Sequence, residues 1–201
     1  MTRGSLAAFL LLALVTGCTA TSAGTPLPSR PGSGSPSTGS PPTASSPLGK
    51  RPREIKLDGL NPCTLWTPDQ LQQLAVKPTP VAGGPQQDTS GHQVCTYRSP
   101  RPIELDIGYT ARAITDLDAS AYLGDTGVTH SSVVEVAGFP AVLEIGRPEN
   151  ASPCMLAIST ADQQHLQIEA LTRPGAFSVE QACEMTKKAA TFAVANLQTL
   201  R

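Results

Sequence analysis

Residues 103–110 read Ile-Glu-Leu-Asp-Ile-Gly-Tyr-Thr, so that an apolar residue alternates with a polar residue or Gly through four repeats. Side chains of a strand point to opposite faces in turn, and a period of two therefore indicates a strand with one buried face. Further apolar segments bounded by turn residues have the composition of strands: 92–97, 132–136, 141–147, 154–160 and 165–171. We predict a largely antiparallel sheet of about six strands.

A helix is predicted before the sheet, over residues 68–75. Thr67 has the chemistry of an N-cap, and Gln70 three positions later completes a capping box. Trp66 and Leu71 flank this start at the positions of a hydrophobic staple. We therefore assign the single Trp to packing and not to a ligand pocket.

A second, longer helix is predicted over residues 179–199, with Ser178 as its N-cap. Small and aliphatic residues recur at three- and four-residue spacing and predict a core-facing stripe: Ala182, Ala189, Ala193, Leu197 and Leu200. Lys187 and Lys188 are predicted to face solvent. Together the elements predict a single α+β domain, with an N-terminal and a long C-terminal helix packed on the sheet.

The N-terminus has the features of a lipoprotein signal peptide, which we assign to residues 1–17. The apolar run 6–15 is too short to span a bilayer but has the length of a signal-peptide core. Val15-Thr16-Gly17-Cys18 resembles the lipobox, and Cys18 is the predicted lipidation site. Two acyl chains, such as palmitate, would hold the protein stably at the extracytoplasmic face of the cell membrane. The alternative is an ordinary secretory signal cut nearby.

Residues 18–53 are predicted to be a disordered tether that begins at the lipidated Cys18. The segment consists almost entirely of Ser, Thr, Pro, Gly and Ala, which bury too little apolar surface to offset the entropy of ordering. The folded domain is predicted to span residues 54–201. Lys50, Arg51 and Arg53 lie at this boundary, where they either end the solvated tether or contact anionic lipid.

The chain has five cysteines, and lipidation of Cys18 explains the odd number. The other four can form two disulfides in three possible pairings: Cys63, Cys95, Cys154 and Cys183. Their spacing contains no Cys-x-x-Cys, so that we expect structural disulfides and neither a metal site nor a cofactor.

Charge and motifs restrict the function. A formal net charge of −1 and only 4% aromatic residues argue against a nucleic-acid partner. No signature of a nucleophile elbow, zinc protease or phosphate loop is present in the predicted domain. His92, His130 and His165 are isolated on predicted strands. We therefore name no catalytic residue and expect a protein that is not an enzyme; a hydrolase would require one of these histidines beside a Ser and a carboxylate in one cleft.

The ordered motifs resemble the actinobacterial lipoproteins grouped as domain of unknown function 3558. After the lipobox and tether, the motifs that carry the resemblance are Asn61-Pro62-Cys63, Cys95-Thr96-Tyr97, the turn Val136-Ala137-Gly138-Phe139-Pro140-Ala141, Cys154 and Cys183. The resemblance covers residues 58–200. This sequence departs from the pattern of these lipoproteins at two positions. It has Asn61 where Asp is commoner in them, and Tyr97 where Trp is commoner. The family is functionally uncharacterised, so the resemblance implies no active site.

Within this pattern we favour the sequential disulfides Cys63–Cys95 and Cys154–Cys183, because each would pin one predicted helix to the sheet. For function we expect a lipid-anchored envelope domain that binds or senses an unidentified small molecule. The alternatives are an accessory subunit that docks on an envelope protein complex and, third, an envelope hydrolase. A binder should show a concave apolar pocket, and an accessory subunit a flat exposed apolar patch.

Overall fold

Alternating apolar residues form an antiparallel sheet in the computed structural model, which describes residues 47–100, 107–147, 150 and 152–200. The predicted signal peptide, the lipidation site Cys18 and nearly all of the predicted tether lie outside the described residues. Residues 101–106 also lie outside them, and with them the first half of the stretch that predicted the sheet.

The described strands number seven. They are β1 (Gln86–Gln87), β2 (Gln93–Arg98), β3 (Ile107–Ile114), β4 (His130–Val136), β5 (Phe139–Ile145), β6 (Cys154–Ala161) and β7 (Gln164–Thr172). Their order in the sheet is β1-β2-β3-β7-β6-β5-β4, and each neighbouring pair is antiparallel. The prediction of about six strands was therefore wrong by one. The additional strand, β1, has only two exposed Gln residues, and these carry no apolar alternation that a sequence pattern could detect.

The long helix α2 (Val179–Leu200) covers one face of the sheet, which we call the helix face. The predicted N-cap Ser178 forms a capping box with Gln181, since Ser178 N donates to Gln181 Oε1 and Gln181 N donates to Ser178 Oγ. The predicted stripe is buried except at its end, where Leu200 is 52% exposed. No helix among the described residues is long and apolar enough to cross a membrane.

The predicted helix 68–75 is a shorter element, α1 (Pro68–Gln73). The predicted capping box is present, but the helix ends early because Ala75 takes a left-handed conformation with a φ of 57°. Among its six residues only Leu71 is buried. The element therefore does not cover the sheet as the sequence had suggested.

Both disulfides lie on the helix face and follow the sequential pairing favoured from the sequence. Cys63 and Cys95 have their Cα atoms 5.2 Å apart, and Cys154 and Cys183 have theirs 5.1 Å apart. The first links the segment before α1 to β2, and the second links β6 to the first turns of α2. Trp66 is buried between these links, where its Nε1 donates to the carbonyl of Ala189 at 2.8 Å.

The opposite side of the sheet, which we call the second face, has a smaller apolar cluster. It consists of Leu48, Ala119, Val142, Met155 and Ala157, with Tyr122 packed against it. The sequence of residues 115–123 predicts a short helix with Leu117 inward, and the structure has within this range a 3₁₀ helix, Ala119–Tyr122, that begins after the N-cap Asp118. Leu117, predicted to point inward, is 40% exposed.

Chain on the N-terminal side of Glu54 already contacts this domain. Leu48 is 5% exposed within the second-face cluster. The Arg51 guanidinium donates to Ser159 Oγ at 2.9 Å and to the carboxylate of Asp162 in the β6–β7 turn. Arg51 is thus a packed residue and not a solvated one.

Candidate functional site

A cleft opens on the helix face, where the end of α1, the start of β3 and the middle of α2 meet. Its volume is about 210 Å³, and eight described residues line it: Gln73, Leu74, Ala75, Ile107, Tyr109, Phe177, Met185 and Lys188. Five of these present mainly apolar side chains, and Tyr109 presents an aromatic ring with a polar hydroxyl. A concave, mostly apolar site with few polar groups is the usual form of a small-molecule site.

Local sequence explains why the cleft is there. The helix α1 stops at Gln73, and the chain turns away through Ala75 instead of continuing along α2. Because α1 is so short, the start of β3 is left open toward α2. Ile107 and Tyr109, which alternate inward on β3, form the floor of this opening and are 4% and 2% exposed.

Lys188 is the charged residue among those that line the cleft. Its Nζ donates to the carbonyl of Gln73 at 2.9 Å and lies 5.9 Å from the ring centroid of Phe192. It was predicted to face solvent, and its side chain is exposed. Its position at the border of a cleft could not be predicted, because its contact Gln73 is distant in the chain.

Tyr109 places its hydroxyl in an apolar environment. Burial raises the pKa of Tyr109 to about 12, so the hydroxyl remains a hydrogen-bond donor at any physiological pH. Its ring lies 6.4 Å from that of Trp66, which connects the floor of the cleft to the core. Trp66 itself packs as predicted and is not among the lining residues.

The three histidines are separate from this cleft. His92 bridges two carboxylates, with Nδ1 3.3 Å from Asp88 and Nε2 2.8 Å from Asp116. Burial alone would lower the pKa of His92, but the hydrogen bonds to Asp116 and Asp88 together outweigh it and raise the pKa. His130 is exposed and pairs with Asp125 at 2.8 Å.

His165 is fully buried on the second face, where its Nδ1 contacts the carbonyl of Leu117 at 2.7 Å. Burial lowers its pKa, and its Nε2 has no hydrogen-bond partner among the described residues. Ser159 lies opposite it in the ladder, but neither residue reaches solvent. The arrangement that a hydrolase would require, a histidine beside a serine and a carboxylate in one open cleft, is not formed at His165.

Cys18 lies outside the described residues, and the remaining four cysteines are bound in disulfides, which leaves none of them as a free thiol. Within the described ranges no three His, Cys, Asp or Glu side chains are grouped as metal ligands. The cleft residues were not predicted, because they come from four separate segments that only the fold brings together.

Comparison with known families finds one match. A family model described as "Protein of unknown function (DUF3558)" matches residues 13–196. Comparison with the curated proteins and with the solved structures finds no match to this chain. The matched range contains all the described strands and both disulfides.

Proposed function

The chain belongs to the DUF3558 family of proteins of unknown function, and we propose that it is a ligand-binding lipoprotein of an actinobacterial cell envelope. In this proposal, lipid on Cys18 holds the protein at the extracytoplasmic face of the membrane. The tether extends the folded domain away from the bilayer, and the cleft beside α2 binds or senses a small molecule.

The observation that supports binding is the cleft itself. It is concave and largely apolar, and its floor residues Ile107 and Tyr109 belong to the rigid sheet. Disulfides tie the elements that border it to the sheet, because Cys63–Cys95 links the segment before α1 to β2 and Cys154–Cys183 links the start of α2 to β6. A site that is preformed loses little entropy on binding, which favours a small ligand.

The binding part is tested by analysing small molecules that co-purify with the full chain. Met185→Trp should fill the cleft, whereas Val133→Trp, at a position 50% exposed on β4, is the matched control. We expect a molecule that accompanies the wild type and Val133→Trp and is lost from Met185→Trp. A molecule retained equally by both variants, or no molecule with any of the three, would contradict the proposal, provided that circular dichroism shows all of them folded.

The anchoring part is tested separately with Cys18→Ala, which removes the acceptor thiol. We expect the wild type in the membrane fraction and its N-terminal peptide to carry the mass of a diacylated cysteine. The variant should move to the soluble fraction. An unmodified wild-type peptide, or a variant that stays in the membrane, would show that the lipid anchor is wrong.

A second candidate is an accessory subunit that docks on an envelope protein complex. The observation in its favour is a set of exposed aliphatic side chains on or beside the edge strand β4: Leu123, Val128 and Val133, between 37% and 56% exposed. Exposed apolar residues in proximity are typical of protein interfaces. If docking is the function, Val133→Asp should abolish co-purification of a protein partner and leave the small-molecule content unchanged.

A further inference from the structure

We propose that the cleft selects a small amphiphile with a negatively charged head, whose charge contacts Lys188 and the Tyr109 hydroxyl. The inference rests on the proposed binding function and specifies its ligand class. It is carried by the unequal distribution of charge and hydrogen-bond donors around the cleft.

The lining carries one positive charge and no carboxylate. Of the eight residues that form the cleft, Lys188 is the cation, and none is Asp or Glu. Its ammonium group has three donors, and the Gln73 carbonyl accepts from one of them. The exposed side chain therefore retains donors for a ligand at the rim of the cleft.

The adjacent Lys187 shows that this is a property of position 188 and not of lysines on α2 in general. Lys187 Nζ is paired with Glu184 at 3.1 Å, one turn earlier on the helix. It is not among the lining residues. An anion that binds near Lys187 would compete with an existing carboxylate, whereas an anion at Lys188 competes with none.

Tyr109 supplies the second donor. The other buried tyrosine of this core, Tyr97, donates its hydroxyl to the carbonyl of Cys63 at 2.9 Å. The Tyr109 hydroxyl is not among the fully buried side-chain atoms without a partner, and Tyr109 lines the cleft. No protein acceptor for this hydroxyl is found among the described residues, so it can donate to a ligand oxygen there.

The remaining walls set the size and character of the rest of the ligand. Leu74, Ile107, Phe177 and Met185 surround the space with aliphatic, aromatic and thioether groups. At roughly 30 Å³ per water-sized group, about 210 Å³ holds about seven such groups. The cleft therefore fits a ligand of about that number of heavy atoms or one end of a longer chain, and it is smaller than most drug-sized sites.

Lys188 also has a structural role, because it binds one of the last carbonyls of α1. Loss of that contact by itself could deform the cleft. A neutral probe with the same apolar chain separates the two effects of a substitution at Lys188. Loss of charge recognition weakens only the charged probe, whereas a deformed cleft weakens both probes.

The probes are hexanoate, hexan-1-ol and hexylamine, which share one six-carbon chain and differ in the charge of the head. The full chain, in lipid nanodiscs and labelled with ¹³C at the methionine methyl groups, is titrated with each probe and followed by NMR. Met185 lines the cleft, whereas Met155 belongs to the second-face cluster and is the internal control. Nanodiscs without protein give the blank, and Met185→Leu assigns the signal.

We expect hexanoate to shift the Met185 signal and to bind about tenfold more tightly than hexan-1-ol, which is about 1.4 kcal/mol. Lys188→Met should remove this preference and leave hexan-1-ol binding unchanged, while Lys187→Met should keep it. Tyr109→Phe should weaken hexanoate more than hexan-1-ol.

Other outcomes overturn the inference in distinguishable ways. Equal binding of hexanoate and hexan-1-ol, or tighter binding of hexylamine, rejects charge selection but leaves the proposed binding function intact. A Lys188→Met variant that loses both probes assigns Lys188 a structural role only and likewise rejects the inference. If Met185 responds to none of the probes, or only together with Met155, the proposed function fails at this cleft as well.

Discussion

The two faces of the sheet are stabilised by different means. The helix face is covered by α2 and closed by two disulfides around fully buried aliphatic and aromatic side chains. The second face has a five-residue apolar cluster, and polar contacts surround it. Arg112 forms an ion pair with Glu169, and the hydroxyls of Thr96 and Thr110 are hydrogen-bonded to each other. The ring of His165 contacts the carbonyl of Leu117. This difference indicates that the helix face contributes most of the free energy of unfolding. The polar contacts of the second face should instead make stability depend on pH.

The largest expected difference is between two adjacent residues of β6 that point to opposite faces. Leu156 is fully buried against the helix-face core, and Met155 is 9% exposed in the second-face cluster. We expect Leu156→Ala to lower the free energy of unfolding by about 3–5 kcal/mol and Met155→Ala by about 2 kcal/mol. Urea denaturation measures both, and equal losses would remove the asymmetry between the faces.

Removal of a disulfide should have the next largest effect. The double substitution Cys154→Ala with Cys183→Ala removes a disulfide that joins residues 29 positions apart. Chain entropy predicts a loss of about 3–4 kcal/mol in the free energy of unfolding. Cys63→Ala with Cys95→Ala removes a disulfide between residues 32 positions apart and should cost about the same. A loss below about 1 kcal/mol for either pair would show that the helix face does not depend on its covalent links.

His165 and His92 should have opposite effects on how the stability of the fold depends on pH. The folded pKa of His165 is lowered by burial, so the unfolded chain binds more protons below its pKa of 6.5. His165 therefore makes the fold less stable as pH falls through and below 6.5. The folded pKa of His92 is raised despite burial, by Asp116 and Asp88. Its contribution is complete below 6.5 and is lost as pH rises through the folded pKa.

Two substitutions separate these contributions. His165→Asn keeps a donor toward Leu117 and should flatten the loss of stability on the acidic side. His92→Gln should flatten the loss on the alkaline side. His130→Gln is the matched control, since that side chain is 69% exposed. Urea midpoints measured from pH 5 to 8 report the slopes, and an unchanged acidic slope in His165→Asn would contradict the assignment.

The smallest expected effect concerns the turn between β4 and β5. Ala137 has a φ of 49° and Gly138 a φ of 87°, so both take left-handed conformations in this two-residue turn. Asn tolerates that conformation better than Ala, and Ala137→Asn should stabilise the protein by about 0.5 kcal/mol. Ala137→Val should destabilise it, because a β-branched residue is disfavoured at positive φ. Thermal melts compare the two variants, and a Val variant as stable as the Asn variant would contradict the argument.

The features predicted well from the sequence depend on residues that are close to one another along the chain. Both capping boxes depend on residues three positions apart, and both are formed. Strand positions followed from local apolar patterns and came within about two residues of the observed bounds, except that the predicted strand 103–110 ends four residues before β3 does. The disulfide pairing followed from the order of motifs along the chain.

Features that depend on distant contacts were missed. Leu117 was predicted to be buried because it fits a helical period, but Asp118 caps a 3₁₀ helix after it and directs Ala119 inward instead. Lys188 was correctly assigned to solvent, yet its contact with Gln73 lies 115 residues away in sequence. The cleft could not be predicted, because no pattern along the chain states how close α1 and α2 approach.

The contact of Arg51 with the β6–β7 turn shows at which end of the strands the N-terminal part of the described chain lies. Arg51 meets Asp162 beside the end of β3 where Ile114 pairs with His165. The cleft lies at the other end of that strand, where Ile107 pairs with Thr172. Seven steps of roughly 3.4 Å separate the two ends by about 24 Å. The contact of Arg51 with Asp162 and the cleft therefore lie toward opposite ends of β3.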